Sequence, residues 1–81
     1  MTHDEILERI TIIMRDLTED ETLVLTDETT ADDVDLWDSV LHVKLIVAIE
    51  DELKVRFDVT EISEPESVGV LVSLIEGKLG R

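Results

Sequence analysis

Ile6, Ile10, Ile13, Met14 and Leu17 recur at intervals of three and four residues. An α-helix gathers residues so spaced on one face. The same spacing returns twice further along the chain, which points to a bundle of helices. Thr2-His3-Asp4-Glu5 matches a capping box, in which the glutamate reaches back to the threonine amide. The pattern predicts a first helix from Asp4 to Leu17, with Glu8, Arg9, Arg15 and Asp16 mostly off the buried stripe.

A polar stretch follows from Thr18 to Leu36, carrying Glu19-Asp20-Glu21 and Asp32-Asp33 among the apolar anchors Leu23, Val24, Leu25 and Val34. A loop of this length inside a small domain is functional or tied down by such anchors. It holds neither Gly nor Pro, so it does not read as a flexible linker. Thr29 to Val34 is expected to make a short helical turn. The second helix is expected to start at Asp38 or Ser39 and run to about Leu53, with the Asp38 carboxylate capping its first turn. Val59 to Ile62 reads as one further turn of helix. The last helix is expected to start near Ser67, after Glu64-Pro65-Glu66, and to end near Gly80. Its buried face would be Val68, Leu71, Val72, Ile75 and Leu79, with Gly69 and Gly77 each weakening it by up to about 1 kcal/mol relative to alanine. The expected fold class is all-α, a bundle of three principal helices plus one short helix.

The chain has 81 residues, one domain near the lower end of what folds alone. Such a chain has little room for both a core and a roomy catalytic cavity. Trp37 and Phe57 are its only aromatic residues, so the core must be aliphatic. With no cysteine there is no disulfide and no thiol of the chain's own, so thioester chemistry would need an added group. No apolar run is long enough for a membrane span. The start of the chain lacks the basic and apolar segments of a signal peptide, so a cytoplasmic location is expected. A monomer is also expected. Seven Lys and Arg against 21 Asp and Glu give a net charge of −14, the wrong sign for binding nucleic acid or an anionic membrane surface. Basic partner surfaces would be drawn to it.

The second helix carries more apolar surface than one packing face needs. Leu41, Leu45, Ala48, Ile49 and Leu53 form one stripe, and Val40, Val43 and Val47 form another pointing elsewhere. The second stripe is either buried, if this helix sits centrally, or an exposed strip that partners read. It begins one residue after Ser39 and ends beside Glu50 and Asp51. An apolar strip with acidic flanks suits a basic, hydrophobic partner.

The stretch from Asp35 to Leu53, with Asp38-Ser39-Val40 opening a helix that ends in Glu50-Asp51-Glu52, resembles the acyl carrier protein family. The resemblance extends over essentially the whole chain. It implies that Ser39 takes a 4'-phosphopantetheine arm from coenzyme A through a phosphopantetheinyl transferase, with Asp38 as the helix cap beside it. The terminal thiol of that arm would supply the thioester chemistry the chain lacks. It further implies a non-catalytic carrier, loaded and unloaded by enzymes with basic docking surfaces that read Val40, Val43, Lys44, Val47, Glu50 and Asp51. The cargo would be an acyl group of fatty-acid, polyketide or related specialised synthesis. Aminoacyl or peptidyl carriage, and an unmodified acidic adaptor, are the alternatives. Val40 stands where the family usually has leucine, and Leu41, His42 and Lys44 where carriers of central fatty-acid synthesis tend to be more acidic. Trp37 before Asp38 is more familiar from free-standing carriers of specialised pathways.

Ser39 and His42 lie one helical turn apart, but no nucleophile elbow or oxyanion loop accompanies them, so His42 is expected at the surface. His3 is expected to be solvated. Asp33, Asp35 and Asp38 are spaced somewhat like a calcium loop, but its glycine and closing glutamate do not fall in register, so no metal site is expected, with weak magnesium or calcium binding to the acidic loop as the alternative.

Overall fold

The computed structural model describes residues 1–34, 36–58, 61 and 67–80. Three α-helices, α1 (His3–Thr18), α2 (Ser39–Leu53) and α3 (Val68–Leu79), and one 3₁₀ turn (Ala31–Asp33) make up the regular structure among the described residues, with no strand. The fold class is all-α. Of the turn expected from Val59 to Ile62, only Glu61 lies within the described residues.

The capping box at α1 is complete. The Thr2 hydroxyl accepts from the Glu5 amide at 3.2 Å, and the Glu5 carboxylate accepts from the Thr2 amide at 2.8 Å. The bond from the Thr2 amide holds the Glu5 carboxyl below its ordinary pKa. The predicted stripe is buried at Ile6, Ile10, Ile13 and Met14 and half-buried at Leu17. Thr11, not foreseen as buried, satisfies its hydroxyl by donating to the Leu7 carbonyl at 2.9 Å. Helix α1 packs against both α2 and α3, which among the described residues do not approach each other closely. The central helix is therefore α1, so α2 has one face to bury and one to spare.

The long acidic loop is tied down by backbone partners. Arg15 donates through Nε to the Leu23 carbonyl at 2.6 Å, and Leu25 and Val34 enter the core. Asp20 accepts from the Thr22 hydroxyl at 2.6 Å and its amide at 3.0 Å, which lowers the Asp20 pKa. The turn at Thr26 to Thr29 then closes over the start of α3. The Val68 amide donates to the Thr29 carbonyl at 2.7 Å and the Gly69 amide to the Asp27 carbonyl at 3.0 Å. Two N–H groups that a helix N-terminus leaves orphaned are thus satisfied by the loop, and Ser67 caps a third through Val70.

This docking explains Gly69, in sequence only a weak helix former. A Cβ there would lie 2.8 Å from the Asp27 carbonyl oxygen, whereas a Cβ on Gly77 meets nothing within 4 Å. Gly69→Ala is expected to destabilise the fold by about 1–3 kcal/mol through forced displacement of the loop. Gly77→Ala is expected to stabilise it by about 0.5–1 kcal/mol. Chemical denaturation of the two variants measures both, and changes of the same sign would contradict the close approach.

His3 is also engaged, not solvated. Its Nε2 lies 2.6 Å from Asp27 Oδ1, and its Nδ1 bonds Glu76 Oε1, so the ring joins α1, the loop and α3. Both nitrogens can donate to carboxylates only when the ring is protonated. Asp27 first, then Glu76, raise its pKa above the ordinary 6.5. A raised folded-state pKa adds stability that is fully present below pH 6.5 and is lost as pH rises through the higher folded value. The lowered carboxyls Glu5, Asp20 and Glu61 act in the opposite sense: their contribution is present above 4.5, 3.8 and 4.5 and is lost as pH falls. The melting-temperature advantage of the wild type over His3→Gln should therefore be largest near pH 6 and shrink toward pH 9. A difference that does not vary over that range would show that the contacts do not depend on the proton.

Candidate functional site

Helix α2 opens with Asp38 as its N-cap. The Asp38 carboxylate accepts from the Leu41 amide at 2.8 Å, and its carbonyl accepts from the His42 amide at 2.9 Å. Ser39, the first residue of the helix, is relieved of the capping task. Its side chain is exposed, and among the described residues its hydroxyl makes no hydrogen bond. Asp38 is exposed beside it. The positive end of the α2 dipole favours an anionic substituent on the hydroxyl, while the Asp38 carboxylate beside it opposes one.

The loop reaches this turn through Trp37. The Trp37 amide donates to the Val34 carbonyl at 3.0 Å, and the Asp38 amide to the Leu36 carbonyl at 3.0 Å. Trp37 is 7% exposed and His42 5%. The rings stack at 6.1 Å between centroids with planes 25° apart, and indole Nε1 donates to His42 Nδ1 at 3.2 Å. The expectation of a surface histidine is corrected. His42 shares the inner face of α2 with Leu41, Leu45 and Ile46, and the indole covers it.

Along the outer face of α2, Val40, Val43 and Val47 are 61%, 51% and 57% exposed. Of the two alternatives for this stripe, exposure holds. Leu36, which sequence reasoning did not single out, adds an exposed apolar side chain in the loop before Ser39. Lys44 and Asp51 are exposed. Glu50 is not freely presented: it is half-buried, and its Oε2 accepts from the Phe57 amide at 3.0 Å, tying down the segment after α2. Beyond it, Lys78 pairs with Glu61 at 2.7 Å and lies over the Phe57 ring.

The chain is similar to a solved structure, the solution NMR structure of holo acyl carrier protein from Geobacter metallireducens. The two are 41% identical and superpose with a TM-score of 0.84, covering 93% of this chain and 86% of that one. This chain belongs to the acyl carrier protein family. No protein-family model and no curated protein matches it. As a member of that family the protein is a carrier and not a catalyst. The geometry of the Ser39–His42 pair agrees, because His42 Nδ1 is already taken by the indole N–H. Among the described residues no helix of the carrier is long and apolar enough to cross a membrane, and no cluster of His, Asp and Glu could hold a metal ion.

Proposed function

We propose that residues 1–81 form a single carrier domain that bears a 4'-phosphopantetheine arm on Ser39 and presents acyl groups to the enzymes that extend or transfer them. The observation that carries this reading is the exposed, uncommitted Ser39 hydroxyl at the head of α2, with Asp38 taking over the cap. A phosphodiester fits there: the hydroxyl is open to a transferase, and the helix N-terminus favours the negative charge. When attached, the group supplies the thiol on which cargo is held as a thioester. The chain's own part is to hold Ser39 outward and to offer a surface for partners.

That surface is the outer face of α2. Val40, Val43 and Val47 are its apolar centre, Lys44 and Asp51 its charged margin, and Glu50 serves it by bracing the segment behind. Partners with an apolar contact and a basic rim, the phosphopantetheinyl transferase among them, would be drawn by the net charge of −14. Lys44 interrupts the acid and Trp37 precedes the cap, which favours partners of a specialised acyl or polyketide pathway over those of central fatty-acid synthesis. Incubation with a broad-specificity phosphopantetheinyl transferase, coenzyme A and magnesium should add one arm to the wild type and none to a folded Ser39→Ala. Failure of the wild type to gain mass, where a control carrier does, would favour an unmodified adaptor.

A further inference from the structure

We infer that Trp37 and His42 are positioning residues for the Ser39 site: their side-chain pair fixes the loop against α2 so that Ser39 leads the helix with its hydroxyl outward. This rests on the reading of Ser39 as the attachment point. Two clamps span the same turn. The Asp38–Leu41 bond of 2.8 Å is made by an exposed carboxylate and competes with water. The Trp37–His42 bond of 3.2 Å is buried and crosses from the residue two before Ser39 to the residue three after it. The main chain of Trp37 is itself held, through the Val34 carbonyl, to a loop anchored by buried Val34.

The chemistry of the pair is directional. An indole nitrogen only donates, so the imidazole must offer an unprotonated Nδ1, and the proton of the neutral ring then sits on Nε2. Two apolar side chains could fill the same space in several registers. A satisfied buried polar pair specifies one. Neither ring is placed to take part in transfer onto Ser39, since His42 Nδ1 is occupied and Trp37 has no acceptor. Their action on the site runs through the shape of the turn that a transferase must recognise.

The test compares Trp37→Phe, His42→Leu, His42→Asn and the double variant Trp37→Phe/His42→Leu with the wild type. The readouts are kcat and KM for transferase modification, under conditions where circular dichroism shows each fully folded, and amide hydrogen exchange at Leu41 and Ile49 by NMR. Trp37→Phe keeps a stacked ring but removes the donor, and His42→Leu removes the acceptor. Each should lower kcat/KM by about three- to tenfold, mostly through KM, and speed exchange at Leu41 by a similar factor while Ile49 is unchanged. His42→Asn, whose amide oxygen can accept near the Nδ1 position, should recover most of the loss. The double variant should lose little more than either single, because the bond can be broken only once. Wild-type kinetics in both single variants would overturn the inference. So would exchange that quickens equally at Leu41 and Ile49, the mark of a purely global loss of stability. If the wild type itself accepts no arm, the attachment reading falls, and exchange at Leu41 still decides whether the pair orders the turn.

Discussion

Leu45→Ala is expected to cost about 2–5 kcal/mol, whereas Val47→Ala, two residues away on the same helix, is expected to change stability by less than about 0.5 kcal/mol. Leu45 is fully buried on the face of α2 that packs toward α1, and Val47 is 57% exposed. An 81-residue domain has roughly 0.05–0.15 kcal/mol of stability per residue, so the buried substitution removes a large share of the total. The Ser39 turn depends on the same helix, and Leu45→Ala should lose its competence for modification as it unfolds. Urea denaturation followed by circular dichroism measures both variants. Equal losses would mean that the outer stripe is also a packing face.

The second large effect concerns recognition. Val43→Asp puts a charge at the centre of the exposed strip and should leave the fold intact. It should reduce the transferase kcat/KM by about tenfold or more at every salt concentration, because an apolar contact at the centre of an interface governs dissociation. Asp51→Lys should act differently. As an exposed rim charge it tunes encounter, so its variant should be slowed most at low salt and approach the wild type as the Debye length falls from about 10 Å at 0.1 M to about 3 Å at 1 M. Glu50→Lys is not a clean probe, since it also breaks the bond to the Phe57 amide. Modification rates across salt for folded Val43→Asp and Asp51→Lys separate the two roles. Wild-type rates for both would place the docking surface elsewhere.

Much of the molecule is legible in the sequence because its helices announce themselves twice, by stripe and by cap. Thr2, Asp38 and Ser67 are capping residues with bonds to match, and the stripes of α1 and α3 are buried as their spacing predicts except at their last members, Leu17 and Leu79, which are half-buried. The C-termini were less readable. Helices α1 and α2 close on Glu19 and Lys54 in the left-handed region, with φ near 58° and 57°, where a glycine would have been the usual signal. The contacts that pin the loop are invisible to periodicity. His3 meeting Asp27 and Glu76, and Gly69 meeting the Asp27 carbonyl, join residues distant in the chain, and no local pattern foretells them. The candidate site divides along the same line. The Asp38–Ser39 head of α2 follows from local chemistry. The exposure of the valine stripe depended on which helix is central, a tertiary fact. His42 reads as surface in the sequence because a polar residue beside apolar neighbours gives no sign of its buried partner, Trp37. Glu50 looks like free rim in the sequence because the donor it accepts from is a backbone amide seven residues on, which no local pattern marks.

The most direct measurement is the intact mass of the protein isolated from the cell that makes it, followed by fragmentation to locate any added group. The account predicts a fraction heavier by a single phosphopantetheine group, with or without an acyl load, and fragments that place the whole addition on Ser39. A protein carrying no addition while other carriers in the same extract are loaded, or an addition on any other residue, would contradict it.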